Sequence, residues 1–563
     1  MKDFLNRLNT YPKLTSVVLA SWFVLNLLQS IFTELFHDEA YYWMFSQHLA
    51  WGYAEHAPMI AFLIRLTSSW MPGEVGVRLF PVLLSTGTLY LLTNIAKPEN
   101  LAVWFLLLLS VVGLHIGGFF TAPDAPLVFF TALFFCLYQK FLDQESWLHS
   151  LYLTLAVIGM LYSKYHGIMI LGCTLLSNLS LLKNKKFWAI VLVAGLAWSP
   201  VLFWLIEQRF STFTFHLFNR VRKPYEISFS LNYILSQFLI LGPLVGLLIL
   251  PAAFLSPIKN LFDRAMKFSV IGVLSFLLLV SFKTWVEANW SASAMIPALL
   301  LAYPFILQRP KWKQWLIRLA PISIGIFLLL RLHLMVNLLD SVSNIRNEVH
   351  NWSEWAEEIN TLADGRPVVF YNTYQQPAKY SFYAAVPSHS VNNYLYHKTQ
   401  YDNWEFAEQF QGQDVLFCSR YPLPGMDTIS TIVDIDHYYR EIPRFQSYGK
   451  IKIDVLTDQR SFQTGKTTMI PIRIVNPYPV HLRKVENPDM LPQITCNVFE
   501  KGRLKKHYYP LPPFEEGLPN DTLELSFPFS PGLPAGEYEM IFSIRVGWLD
   551  GSINGEFEKI QLE

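Results

Sequence analysis

From residue 15 to about 335 the chain is a succession of long apolar runs separated by short polar segments. A helix that crosses a bilayer needs about 20 mostly apolar residues. Runs of that kind predict eleven spans, at 15–33, 77–96, 101–120, 125–142, 148–164, 167–183, 187–206, 231–255, 268–283, 290–308 and 314–335. Between the first two lies PMIAFLIRLTSSW (58–70), too short to span and expected to lie along the membrane surface. After residue 337 the pattern changes. A helical stretch at 344–362 and a short apolar strand at 367–370 open a mixed α/β region running to about 444. From 450 to 563, segments such as IKIDVLT, MIPIRIV and YEMIFSIRV alternate apolar and polar positions between Pro, Gly and Asn turns. That spacing predicts an antiparallel, Ig-like β-sandwich. The expected division is therefore a membrane domain (1–336), a mixed α/β domain (337–448) and a β-sandwich (449–563).

Composition agrees with the pattern. Of 563 residues, 52% are hydrophobic and 15% charged, against about 25% charged in soluble proteins. A net charge of +1 gives no reason to expect a nucleic-acid partner. The four cysteines form no CxxC or Cys/His cluster, so a structural zinc site is not expected. A Cys418–Cys496 disulfide stays open as an expectation for an oxidising compartment. The basic N-terminus (Lys2, Arg7, Lys13) precedes an apolar run without a small-residue cleavage site, and reads as a retained first helix.

Charge placement sets an expected orientation. With a cytoplasmic N-terminus, the basic clusters KNKK (183–186) and QRPKWK (308–313) fall inside, as the positive-inside rule requires. The soluble C-terminal region then lies outside, and NRVRK (219–223) runs against the bias. On this parity His37-Asp38-Glu39, Glu55-His56, Asp124, Lys164-Tyr165-His166, the 219–223 run and Lys283 with Glu287-Ala288-Asn289 all fall on the outer side.

Each motif has a bland reading beside a chemical one. Asp38 and Glu39 in HDEAYYW suit the positive end of a helix dipole, and the adjacent Tyr and Trp suit an interface. Adjacent carboxylates at a membrane boundary are nonetheless costly unless they bind a cation or do chemistry. Separated by about 100° around a helix, they are expected to have different jobs. Glu55 and His56 are either an exposed loop closed by Pro58 or the ligands of a phosphate or divalent metal. Asp124 in TAPDAPL can cap the helix that follows it, with Pro126 in the first turn. Lys164 and Lys283 can simply snorkel, but several cations beside two acidic motifs favour an anionic ligand.

Taken in order, HDEAYYW (37–43), WGYAEHAPMIAFLIRL (51–66), VRLFP (77–81), TAPDAPL (121–127), SKYHG (163–167) and EANW (287–290) resemble the GT-C glycosyltransferases, specifically the bacterial branch of protein mannosyltransferase-like and aminoarabinose transferase-like enzymes. The likeness covers about residues 15–300, with a weaker match at 374–404. Ala57 stands where the family usually has a first Pro, and His56 where several relatives have Lys. The resemblance implies a GT-C-type polytopic helical fold and a polyprenyl-phosphate sugar donor. It implies Asp38, with Glu39 and Asp124, as catalytic carboxylates, Asp38 being the general base of an inverting displacement. The donor phosphate would be held by His56, Lys164, Tyr165, His166 and Lys283, and substrate by Tyr41, Arg78, Glu287 and Asn289. Glu55 and His56 are the candidates for a divalent metal. Lipid, protein and glycan remain open as acceptors on the outer face of a bacterial inner membrane. The β-sandwich reads as a stabilising module or as an acceptor-binding one, with Tyr401 and Trp404 the residues to test. A transporter or flippase of a lipid-linked saccharide is the competing class; it would place charges at mid-membrane in broken helices of related halves, and no internal repeat is present.

Overall fold

The computed structural model describes residues 12–208, 210, 225–338, 347–404, 406–433, 436–478, 491–514 and 522–563. The basic run at 219–223 lies outside them. The chain forms two compact units that divide after His350.

The first unit is helical. Among the described residues seven helices are long and apolar enough to cross a membrane. They are α1 (Pro12–Phe32), α4 (Gly73–Ala96), α7 (Asp124–Asp143), α10 (Lys185–Glu207), α13 (Leu261–Ser281), α14 (Ala292–Leu307, extended by a 3₁₀ turn Ala288–Ser291) and α15 (Pro310–Val336). Two further helices, α2 (His37–Gln47) and α3 (Met59–Ser68), occupy the segment between α1 and α4. The remaining apolar runs make shorter helices: α5 (Leu101–Leu109), α6 (Val112–Ile116), α8 (Trp147–Ser163), α9 (Gly167–Ser177), α11 (Ile227–Ile240) and α12 (Gly246–Leu255).

Two stretches expected to be single spans are therefore broken. The run 101–120 stops at Ser110 between α5 and α6, and the His115 ring donates to the freed Leu109 carbonyl across 2.7 Å. The run 231–255 stops at Gly242, whose φ of +116° is one that favours glycine. A Cβ there would lie 2.6 Å from the Ser110 carbonyl oxygen, so the two breaks abut. Short polar turns start other helices in an ordinary way: Asn100, Ser146, Asn184 and Asn260 each accept a backbone N–H at the first turn of α5, α8, α10 and α13. Lys267, just ahead of the run expected to span at 268–283, is buried within α13. It donates to the carbonyls of Ala253, Phe254 and Ser256 at the end of α12, giving a donor to acceptors that a helix C-terminus leaves without intrahelical partners.

The second unit begins with α16 (Trp352–Ala363), then β1 (Val368–Tyr371), α17 (Gln375–Tyr383), β2 (Ser388–Val391), α18 (Phe406–Gln409), β3 (Val415–Ser419), β4 (Asp427–Ser430) and β5 (Asp436–Ile442). The sheet order is β2-β1-β3-β5-β4, with β2, β1 and β3 parallel. Val368 and Phe370 face a core with Trp355 and Ile359 of α16, while Val369 and Tyr371 face a second core with Phe417 and Phe445. Burial on both faces explains why VVFY and VLFC are continuous apolar runs.

The rest of the unit is β-structure: β6 (Lys452–Val455), β7 (Ser461–Phe462), β8 (Thr468–Val475), β9 (Pro492–Glu500), β10 (Arg503–Tyr508), β11 (Thr522–Phe529), β12 (Gly536–Val546) and β13 (Glu558–Leu562). They form a sheet of order β10-β9-β12-β13-β7 and another of order β11-β8-β6. Alternate residues of both, among them Ile472, Val498, Phe529 and Phe542, share one core. Cys418 and Cys496 are free thiols buried in different cores, so the expected disulfide is not formed. Tyr401 and Trp404 are buried against each other and Phe406, not offered to a ligand.

Candidate active site

The HDEAYYW motif opens α2. Its two carboxylates have unlike surroundings: Asp38 is half-buried in the first turn, whereas Glu39 is fully buried. Glu39 accepts from the Phe36 backbone N–H (2.9 Å), which is half of a capping box, and from the Thr121 backbone N–H (2.8 Å). It is also paired with Arg78, Nε to Oε1 at 2.9 Å and Nη2 to Oε2 at 2.5 Å. The Arg78 guanidinium, itself buried, donates further to the carbonyls of Thr33 and Glu34, just beyond the end of α1. One ion pair thus ties together the end of α1, the start of α2, α4 and the 121–124 turn. Arg78, expected to bind substrate, is taken up in this staple.

The next motif folds back on α2. The Tyr41 hydroxyl donates to Glu55, 3.3 Å from each carboxylate oxygen, and the Tyr42 hydroxyl lies 3.2 Å from His56 Nε2. Buried Tyr53 stacks on Phe45 with centroids 4.1 Å apart, and its hydroxyl meets the Phe45 and His48 carbonyls. Gly52 is a position where no side chain fits, because a Cβ would run into the Trp204 ring.

A second constellation forms at the start of α7. Asp124 accepts from Lys164 Nζ at 2.8 and 3.0 Å and from Asn289 Nδ2 at 2.8 Å. A carboxylate expected to be catalytic, a lysine expected at phosphate and an asparagine expected at substrate are thereby brought together from three separate loops. His166 packs on Trp290, centroids 5.1 Å apart, and Tyr165 is half-buried beside Trp198. Lys283 is exposed in the turn after α13, and Glu287 is half-buried at the start of the 288–291 turn. The two constellations are joined covalently: Thr121, held by Glu39 and by the Val77 carbonyl, is three residues from Asp124.

Thr121, Tyr42 and Trp290 lie inside motifs read from the sequence, but no site role was expected of them individually. Their contacts depend on which loops meet, which a linear pattern does not state. Among the described residues no group of three or more His, Cys, Asp and Glu side chains is placed to hold a metal ion. Glu55 and His56, the candidates for one, are each engaged by a tyrosine.

Comparisons with known proteins agree with this architecture. A family model described as dolichyl-phosphate-mannose-protein mannosyltransferase matches residues 55–204. The lipid A galacturonosyltransferase RgtD of Rhizobium johnstonii is 25% identical over 285 residues, which are 48% of this chain. The chain spans 60% of that relative's length. Crystal structures of ArnT from Cupriavidus metallidurans superpose with TM-scores of 0.54 in the apo state and 0.55 bound to undecaprenyl phosphate. Each covers 75% of this chain, and 96% and 97% of ArnT, at 13% and 12% identity. The chain is thus similar in sequence, over part of its length, to a mannosyltransferase family model and to RgtD, and it shares the fold of ArnT.

Proposed function

We propose that the chain transfers a sugar from a polyprenyl-phosphate carrier to an acceptor on the outer face of a bacterial inner membrane. The observation that carries this reading is the joining of two acid-bearing loops. Glu39 docks the Thr121 turn beside the Asp38 helix, and that turn leads into Asp124 with its Lys164 and Asn289 partners. The family match and the undecaprenyl phosphate bound by ArnT support the donor class.

In this mechanism Asp38 takes the proton from an acceptor hydroxyl or amine as its oxygen or nitrogen attacks the anomeric carbon. The bond from that carbon to the phosphate oxygen breaks, and the polyprenyl phosphate leaves as an anion. Direct displacement inverts the anomeric centre. Positive charge developing on the sugar is met by carboxylates, and negative charge on the leaving phosphate by Lys164, His166, Lys283 and His56. Asp124 orients Lys164 and stands as the second carboxylate at the site. Tyr165 borders the same loops and joins the groups assigned to the donor phosphate, while Glu287 and Asn289 are assigned to substrate. Glu39 and Arg78 act through position, holding the Asp38 helix and the Asp124 turn in register; Tyr41 does the same for Glu55. No step is routed through a metal.

The same reading puts the N-terminus in the cytoplasm and the second unit outside. It treats the α/β region and the two core-sharing β-sheets, split near 448, as separate domains, the latter a β-sandwich. The name of the Rhizobium relative makes lipid A the first acceptor to examine. A transporter of lipid-linked saccharide is the second reading, and the abutting breaks at Ser110 and Gly242 are the observation in its favour. Mass spectrometry of lipid A, exported proteins and surface glycans from cells lacking the gene separates the two. If the protein is a transferase, cells lacking the gene lose one defined sugar, which is restored by the wild-type gene and not by Asp38→Asn, with equal amounts of protein in the membrane. Full restoration by Asp38→Asn would remove Asp38 as the base. A saccharide stranded on its carrier without transfer of any sugar by purified protein would favour transport.

A further inference from the structure

Arg331 lies in α15, about one and a half turns from its C-terminal end, and is 3% exposed. Its Nη2 donates to Asn26 Oδ1 of α1 at 2.8 Å and to the His115 carbonyl of α6 at 2.7 Å. Its own backbone carbonyl accepts from Gln29 of α1 at 3.3 Å. Among the described residues no carboxylate pairs with it, and Nε and Nη1 have no hydrogen-bond partner. An ionisable side chain inside a membrane helix costs free energy and marks function by default. A buried cation without a counter-ion is a stronger case, since no partner charge offsets the cost of taking it out of water.

What the guanidinium supports is the turn that leads into the site. Its charged carbon lies 4.9 Å from the Phe119 ring centre. Phe119 in turn packs on Phe36, the residue just ahead of α2, at 6.4 Å between centroids, and Phe120 packs on Phe36 at 5.1 Å. The Asn26 amide that receives Arg331 also presses on the backbone of Gly118, where a Cβ would lie 2.5 Å from Asn26 Oδ1. The turn held in this way ends at Thr121, whose N–H closes on Glu39, and continues to Asp124.

We propose that Arg331 is a positioning residue of the transfer reaction: by clamping α1 and the end of α6 to α15, it sets the 117–121 turn and so the placement of Asp124 relative to Asp38. The proposal rests on the transferase reading for its catalytic consequence, but its structural half is independent of it. The tests use the full chain in lipid nanodiscs. Hydrogen exchange at the Thr121 amide, which reports the docking of the turn on Glu39, is compared in wild type, Arg331→Met and Arg331→Lys. Transfer is followed with undecaprenyl-phosphate-linked galacturonic acid and lipid A as probes. Arg331→Met is expected to keep the wild-type thermal midpoint or exceed it, to lose Thr121 protection by at least about tenfold, and to lower kcat by at least about tenfold with donor KM within about twofold. Arg331→Lys, which keeps one donor for Asn26 or His115, is expected to recover part of both losses. Wild-type exchange and kcat in Arg331→Met would overturn the proposal. So would a fall in thermal midpoint with protection lost throughout the unit, since that describes a global structural role. If wild type transfers nothing from any polyprenyl-phosphate sugar, the functional reading fails, and the Thr121 amide still decides whether Arg331 sets the turn.

Discussion

Asp38 and Glu39 share a helix turn and a charge but differ in what they can do. Glu39 is enclosed and spends its oxygens on Arg78, Phe36 and Thr121, whereas Asp38 is only half-buried in the same turn and is the carboxylate to which the proposed mechanism gives the proton. Neutralising them should therefore have opposite signatures. Glu39→Gln strands the Arg78 guanidinium, and breaking a buried pair from one side costs about 3–5 kcal/mol. The expected result is a clear drop in the thermal midpoint of the membrane unit, partly recovered in Glu39→Met/Arg78→Met. Asp38→Asn should leave the midpoint unchanged while transfer is lost. A wild-type midpoint in Glu39→Gln would sink the staple. The sequence carried a hint of this division, because Glu39 is three residues after Phe36, the capping-box spacing. What it could not carry was Arg78 as the partner, since a buried ion pair 39 residues apart has no linear signature. Asp124, Lys164 and Asn289 were expected on one side from the parity of the spans; that they touch one another had no linear sign.

At the scale of elements, hydropathy located every apolar run in the membrane unit and misjudged its continuity. Averaging over a window sees apolar residues on both sides of Ser110 and Gly242 and reports one span where the chain makes two short helices. The local signs were present: Gly242 is followed by Pro243, a strong turn signal. Because a Cβ at Gly242 would meet the Ser110 carbonyl, each break fixes the other. Gly242→Ala should combine an unfavourable positive φ with that collision and cost about 1–3 kcal/mol. The check is a lower thermal midpoint in nanodiscs with faster amide exchange in both α6 and α12. Exchange altered in α12 alone would mean that the two breaks are independent. Lys267 illustrates the same limit from the polar side. Positive charge near a span end is counted as solvated loop, yet here the ammonium closes a helix end inside the unit.

For the whole molecule, the change of pattern near residue 337 announced two kinds of solvent, and the chain does divide into a helical unit and a second unit rich in strands. Composition also misled there, for an aromatic such as Tyr401 looks the same in a sequence whether it lines a binding face or fills a core. The second unit's core holds a titratable group that gives it a definite pH response. His389 on β2 is buried, near the rings of Tyr401 and Phe410. Burial, aided by the Lys450 charge, pushes its imidazole down from 6.5 to about 3. The folded unit thus keeps His389 neutral where the unfolded chain would protonate it. Its contribution is fully present above about pH 6.5 and is lost as pH falls toward 3, at up to ~1.4 kcal/mol per pH unit for one proton. Half-buried Asp402, whose carboxyl is pushed up by desolvation, has the reverse sign: its stabilisation is present at low pH and is lost as pH rises. His507 shifts in the same direction as His389 but is exposed, so it adds less. Exchange at the β1 and β2 amides of the full chain, followed between pH 4.5 and 7.5, should therefore show opening that becomes easier on acidification. His389→Phe, which suits the aromatic surroundings, should flatten that slope while leaving the membrane helices as they were. An unchanged slope in His389→Phe would assign the proton to another group, and Asp402 could not be that group because its slope runs the other way.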